Sequence, residues 1–101
     1  MSTDLFLALQ NPSLRLLLPS EELSEGESLI LLCATQMDQS NVTFRWYHDN
    51  KEIPEASKSN ILNYHNTGLN DSGKYLCSVD NTFVKRVSQN IVISVIRRLN
   101  Y

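Results

Sequence analysis

The residues able to do chemistry are few: two cysteines, Cys33 and Cys77, and two histidines, His48 and His65. A structural zinc site takes four Cys or His ligands at short, paired spacings, and these four stand at no such spacing. A catalytic reading needs a nucleophile, a base and a residue that orients the base. Neither histidine has a partner at a spacing that supplies one. No glycine-rich phosphate loop is present, and no carboxylate run has metal-loop spacing. The chemistry left to the cysteines is one disulfide, which places the chain in an oxidising compartment. Two tripeptides agree with this. Asn41-Val42-Thr43 and Asn70-Asp71-Ser72 both fit the N-glycosylation pattern. We therefore expect no enzyme activity, no cofactor and no metal.

Composition narrows the partners. The 101 residues suit one domain, and the net charge of −2 comes from scattered acids and bases. Without a basic stripe, nucleic acid is an unsuitable partner. Without a polybasic cluster, so is a membrane surface. No apolar run approaches the roughly 20 residues of a membrane-spanning helix. Residues 5–9 are apolar, but the run is too short for a signal peptide and lacks a basic flank. This pattern leads us to expect a fragment of a larger extracellular protein, with Met1 added ahead of it.

The elements that must position the cysteines are short strands. Period-two alternation recurs along the chain, and amphipathic helical runs are scarce. Leu14-Arg15-Leu16-Leu17-Leu18 reads as a first strand, broken by Pro19. Leu23 starts a short second piece, and Gly26 turns the chain. Leu29, Leu31 and Cys33 then face one way and Ile30, Leu32 and Ala34 the other. Both faces are apolar, so this strand is expected to be covered on both sides or to touch a neighbour. Val42, Phe44 and Trp46 alternate with Thr43, Arg45 and Tyr47. Asp49-Asn50 is a turn signal. Ile53-Pro54 marks a short edge strand, and residues 56–60 read as loop. Leu62 and Tyr64 share a face, and a corner follows at residues 68–73. Tyr75, Cys77 and Val79 alternate, residues 80–82 turn, and Ile91, Ile93 and Val95 complete a last strand. About seven to eight strands with regular turns are the signature of a sandwich.

Cys33, Trp46 and Cys77 share inward parity on separate strands. Asp71-Ser72-Gly73-Lys74-Tyr75-Leu76-Cys77 adds a corner in which Asp71 accepts local amide hydrogens and Gly73 permits a tight backbone. In this order and spacing they are the signature of an immunoglobulin sandwich. The resemblance implies an all-β, antiparallel two-sheet Greek key with one inter-sheet disulfide. It also implies a tryptophan packed on that bridge and a Tyr75 hydroxyl bonded back to the corner backbone. Closing a loop of this length constrains the unfolded chain by about 4 kcal/mol.

The span from Leu14 to Ile96 resembles a domain of the C2 or I type, since variable-type domains usually have a longer gap between the cysteines. More narrowly, it resembles a membrane-distal domain of a leukocyte Fc receptor or Fc-receptor-like protein. Three segments carry this: Leu14-Arg15-Leu16 with Pro19; Phe44-Arg45-Trp46-Tyr47-His48-Asp49-Asn50 with Ile53-Pro54; and Asn70 through Cys77. Thr67 departs from the pattern, standing where many members carry an aliphatic core residue. The resemblance divides the chain into an N-terminal extension (1–12), the domain (13–96) and a linker towards a following immunoglobulin domain (97–101). It implies an extracellular protein-binding module at the cell surface or secreted. The partner would be an immunoglobulin or another cell-surface protein. The other reading is a structural or adhesion repeat from a cell-adhesion molecule or growth-factor receptor.

Partner contact has its own candidates. Phe83, in Asp80-Asn81-Thr82-Phe83-Val84-Lys85-Arg86, reads either as an apolar anchor flanked by Lys85 and Arg86 or as a lid on the open end of the core. Arg45 and Tyr47 lie outward on their strand and read either as part of a binding face or, for Tyr47, as a strand aromatic packing on neighbours across the sheet. His48 reads as a partly exposed strand-end residue. Leu99 and Tyr101 follow Arg97-Arg98 and read either as an apolar group docking on a neighbouring domain or as a frayed terminus.

Overall fold

Burial at every second position organises the chain into short strands. The computed structural model describes residues 10–17, 20–56 and 58–98. The strands are β1 (Ser13–Leu16), β2 (Glu22–Ser24), β3 (Leu29–Ala34), β4 (Thr43–His48) and β5 (Lys51–Glu52). They continue with β6 (Ile61–Tyr64), β7 (Gly73–Asp80), β8 (Lys85–Val87) and β9 (Ile91–Ile96). Among the described residues the remaining regular pieces are three single 3-10 turns. Leu29, Leu31 and Cys33 of β3, Phe44 and Trp46 of β4, and Tyr75, Cys77 and Val79 of β7 are all buried. With Leu14, Leu23, Leu62, Ile93 and Val95 they form one core between two sheets.

One sheet has the order β1-β3-β6, and the other β2-β9-β7-β4-β5 with β8 also on β7. The chain crosses between sheets from β3 to β4, from β5 to β6 and from β6 to β7, the alternation of a Greek-key sandwich. Cys33 of the smaller sheet and Cys77 of the larger are disulfide-bonded, with Cα atoms 6.1 Å apart. Trp46 is the register partner of Cys77, so its fully buried indole shares the inward face with the bridge. Its Nε1 donates to the Ser59 carbonyl at 2.8 Å.

Details differ from the sequence pattern, each for a physical reason. The first strand ends at Leu16, though the Leu17 amide still donates to the Ile30 carbonyl at 3.0 Å. The Pro19 break lies outside the described residues. The ladder β2–β9 is parallel, whereas the other ladders are antiparallel. The chain changes sheet between β1 and β2 without reversing direction, so it runs alongside β9. The edge strand is Lys51–Glu52 rather than Ile53-Pro54. Ile53 instead buries its side chain, and its amide donates to the Trp46 carbonyl at 2.8 Å. Pro54, which lacks an N–H, opens a 3-10 turn ending at buried Ala56. Thr67 is buried, and it can be because its hydroxyl donates to the Glu27 carbonyl at 2.7 Å.

The last strand is two pieces. β8 and β9 pair with the same edge of β7, but three residues, Ser88 to Asn90, stand opposite Leu76 and Cys77. The extra residue makes a bulge. The Ser88 amide donates to the Cys77 carbonyl at 2.9 Å, and the Ser88 hydroxyl accepts from the Cys77 amide at 3.0 Å. A side chain thus completes the ladder where backbone register fails.

Candidate functional site

The corner comes first, because it fixes where β4 and β7 lie. The Tyr75 hydroxyl donates to the Asp71 carbonyl at 2.5 Å, and the Asp71 carboxylate accepts from the Gly68 amide at 2.8 Å. Burial pushes the Tyr75 phenol well above the ordinary tyrosine range, and the Asp71 charge adds to the shift. Tyr64 moves the same way, by burial first and then by Glu55 and Asp71. Asp49 and Asn50 both have positive φ and close the two-residue β4–β5 turn. The Asp49 carboxylate accepts the Lys74 amide at 2.9 Å. His48 is more engaged than a strand-end residue need be. Its ring stacks on Tyr75 at 4.4 Å between centroids, and Nε2 donates to the Ser72 carbonyl at 2.8 Å. Gly73, at φ +142°, leaves the space that the histidine ring occupies.

With inward residues fixed, alternation sends Arg45 and Tyr47 of β4 and Lys74, Leu76, Ser78 and Asp80 of β7 to the outer face. Register aligns Arg45 with Ser78 and Val87, and Asp80 with Lys85. Tyr47 lies between Leu76 and Glu52. Arg45 bridges Glu52 at 3.6 Å and Asp80 at 3.8 Å, spanning the sheet surface. Lys85 Nζ donates to the Tyr47 hydroxyl at 3.5 Å and lies 5.8 Å from the ring centroid, within cation–π range. Ser78 is fully buried on this face, and its hydroxyl has no hydrogen-bond partner among the described residues.

The hairpin between β7 and β8 stands at one end of this face. Asn81 Oδ1 accepts from the Phe83 amide at 2.8 Å and the Val84 amide at 2.9 Å, and the Asn81 amide donates to the Val84 carbonyl at 2.9 Å. Val84 packs on the core while Phe83 is 89% exposed. Phe83 therefore does not cap the core; a turn braced by three hydrogen bonds holds it in solvent.

Of the residues nominated from sequence, Arg45, Tyr47 and Lys85 share the outer face, and Phe83 stands at its end. Arg86 does not join them. It pairs with Val79, on the inward parity, with its Nε buried. Sequence reasoning missed Leu76, Val87 and Val92, which supply apolar surface among these polar groups. Their parity with Lys74 and Ser78 was the available signal. Asn41 and Asn70 are exposed, on the 3-10 turns Gln39–Asn41 and Leu69–Asp71. Beside Asn41, the Asp38 carboxylate is held below its ordinary range by the Ser40 amide and hydroxyl. At the opposite end from Phe83, Glu25, Gly26, Asn66, Thr67, Gly68 and Arg98 line an open hollow. Leu99 and Tyr101 lie outside the described residues. Among the described residues no cluster of three or more His, Cys, Asp or Glu could hold a metal ion, and no helix is long and apolar enough to cross a membrane.

Known proteins resemble this arrangement. The chain is 33% identical over 94 residues to Fc receptor-like protein 2 of Homo sapiens, covering 88% of this chain and 18% of that protein. It is 33% identical over 87 residues to vascular endothelial growth factor receptor 3 of Danio rerio, covering 71% of this chain and 6% of the receptor. It thus spans less than a fifth of the length of these relatives. The second Ig-C2 domain of human Fc-receptor like A superposes with a TM-score of 0.69 at 24% identity, covering 86% of this chain and 98% of that one. Proteins of this kind generally serve as non-enzymatic binding modules, and in receptors they bind other proteins. The immunoglobulin domain model matches residues 11–95, and with the bridged sandwich, the buried tryptophan and the tyrosine corner it assigns the chain to the immunoglobulin domain family.

Proposed function

We propose that this chain is an extracellular, non-catalytic protein-binding module of an Fc-receptor-like immune cell-surface receptor, whose ligand is an immunoglobulin or another cell-surface protein. The observation that carries the reading is the braced β7–β8 hairpin, which holds Phe83 in solvent beside Lys85 and Tyr47. An aromatic side chain presented on a rigid turn loses little entropy on binding, and such residues dominate interface energetics. The likeness to Fc receptor-like protein 2 supports the receptor class. The buried disulfide supports an oxidising compartment. In this reading residues 13–96 are the domain and 97–101 lead to a second immunoglobulin domain at the end that holds the open hollow. Residues 1–12 precede the domain. Asn41 and Asn70 carry glycans, and a glycosidase-sensitive mass increase lost in N41Q and N70Q tests this.

The growth-factor receptor match favours a second reading, a structural repeat of a long ectodomain. The full-length gene separates the two: a short receptor with a cytoplasmic tyrosine signalling motif against a long array or a kinase domain. The direct test is a binding screen of the natural ectodomain against immobilised immunoglobulins and leukocyte-surface proteins. We expect a ligand whose affinity falls at least about tenfold in F83A and in Y47A. A ligand indifferent to both changes, or no protein ligand at all, defeats the proposal.

A further inference from the structure

The outer face of the larger sheet is complementary to itself. Its middle row is that of Trp46 and Cys77, which are register partners. Along β7 the outward residues run Lys74, Leu76, Ser78, Asp80, a cation at one end and an anion at the other. On β4, Tyr47 and Arg45 stand one residue either side of the middle row. On the adjoining column, Val92 is level with Lys74 and Lys85 with Asp80. A half-turn about an axis lying across the strands at Cys77 exchanges Asp80 with Lys74, Arg45 with Tyr47, and Lys85 with Val92. Two copies stacked face to face with reversed strands therefore set each aspartate against a lysine and each guanidinium against a tyrosine ring. Every such contact occurs twice, which is an isologous two-fold interface.

Phe83 fits the same operation. It lies just beyond Asp80, so the half-turn carries it beyond Lys74 on the β9 column of the second copy. There Val92 is 61% exposed and Ile96 42% exposed, with exposed Ser94 between them on the same side of the strand. A small residue between two branched ones leaves a notch for an aromatic ring, and Glu22 stands opposite Ser94 across the β2–β9 ladder. The sequons lie on the turns before β4 and β7, off these outward rows.

We infer that this face is where a second copy of the chain docks, with Asp80 and Lys74 paired reciprocally across the two-fold and each Phe83 seated between Val92 and Ile96 of the other copy. The inference rests on the reading of this face as a protein-contact surface. Aligned packing of two twisted sheets accommodates the stack at an angle of about 30°.

Sedimentation equilibrium of the full chain from about 1 µM to about 1 mM tests it. We expect reversible dimers that weaken as salt rises. F83A and V92D each weaken association at least about tenfold, which is about 1.4 kcal/mol. K74D and D80K each weaken it similarly, and the double variant K74D/D80K regains association to within about threefold of the parent because the ion pairs re-form reversed. Since Asp80 also pairs with Arg45, D80N repeats the test without adding a cation there. Both Phe83 and Val92 are exposed, so these variants keep the fold, and thermal unfolding verifies it. A monomer at all concentrations overturns the inference. So does a dimer indifferent to F83A and V92D, or a double variant no better than the single ones. If the chain is monomeric yet loses a captured ligand in F83A, self-pairing fails while the protein-contact reading stands.

Discussion

The Gln89 carboxamide grips both backbone polar groups of Leu14: Nε2 donates to the Leu14 carbonyl at 2.7 Å and Oε1 accepts from the Leu14 amide at 3.1 Å. Leu14 belongs to the smaller sheet and pairs with Cys33. Gln89 belongs to the bulge on the edge of the larger sheet. One side chain thus stands in for a neighbouring strand, bridging the two sheets and covering an otherwise open edge of β1. The bulge is what makes this reach available, because it frees Gln89 from the ladder.

Gln89→Ala should remove both bonds and lower stability by about 1–3 kcal/mol, since each is worth about 1 kcal/mol net and Leu14 is buried. Gln89→Glu should cost a similar amount, because a carboxylate cannot donate to the Leu14 carbonyl. The shift in denaturant midpoint at constant slope measures both. Equal stability of all three proteins would show that water replaces the carboxamide without loss.

Replacing Cys33 and Cys77 together by alanine should cost about 2–5 kcal/mol. The sulfurs link β3 to β7 across the core, and both cysteines are fully buried. Reduction without denaturant should therefore be slow, with the thiols titrating only as the domain opens. Thiol-quench mass spectrometry checks the rate, and unfolding curves of the double variant check the energy.

Tyr75→Phe should cost about 1 kcal/mol, the net worth of one hydrogen bond. The parent should also lose stability in alkali. Burial raises the folded-state value of the phenol above that of the unfolded chain. The folded state therefore holds its proton more tightly, and this stabilisation is complete below about pH 10 and lost as pH rises beyond it. Unfolding free energy measured from neutral to alkaline pH should fall more steeply in the parent than in the phenylalanine variant.

What the sequence made legible was whatever rare residue types and parity determine together. Cysteine, tryptophan and the corner tyrosine have few alternatives when all three must face inward on strands. Ser88 and Gln89 were opaque because their role depends on side-chain bonds to distant backbone, which no local period encodes. Ile53-Pro54 misplaced the edge strand because the burial of Ile53 in the core, with its amide bonded to the Trp46 carbonyl, is a tertiary fact. The choice at Phe83 turned on Asn81, whose carboxamide fixes the turn. Neighbouring cations did mark the hairpin, yet Arg86 falls on the other side of β8 from Lys85, as alternation requires.

Gly73 supports one further expectation, because two separable effects meet there. Its φ of +142° is a backbone conformation that side chains rarely adopt, and a Cβ added there would lie 2.6 Å from His48 Nε2 and 2.7 Å from Asp49 Oδ1. The Asp49 carboxylate sits on an exposed turn and can swing away, at the cost of its bond from the Lys74 amide. The His48 ring cannot move as cheaply, since it is stacked on Tyr75 and bonded to the Ser72 carbonyl. Gly73→Ala should therefore destabilise by about 2–4 kcal/mol, combining backbone strain of about 1–3 kcal/mol with the displaced ring. The double variant Gly73→Ala, His48→Ala separates them. Without the ring only strain remains, so the glycine substitution should cost less in the His48→Ala background than in the parent, by about 1 kcal/mol or more. Strictly additive unfolding energies would mean that the ring is not in the way and that strain alone excludes a side chain at this position.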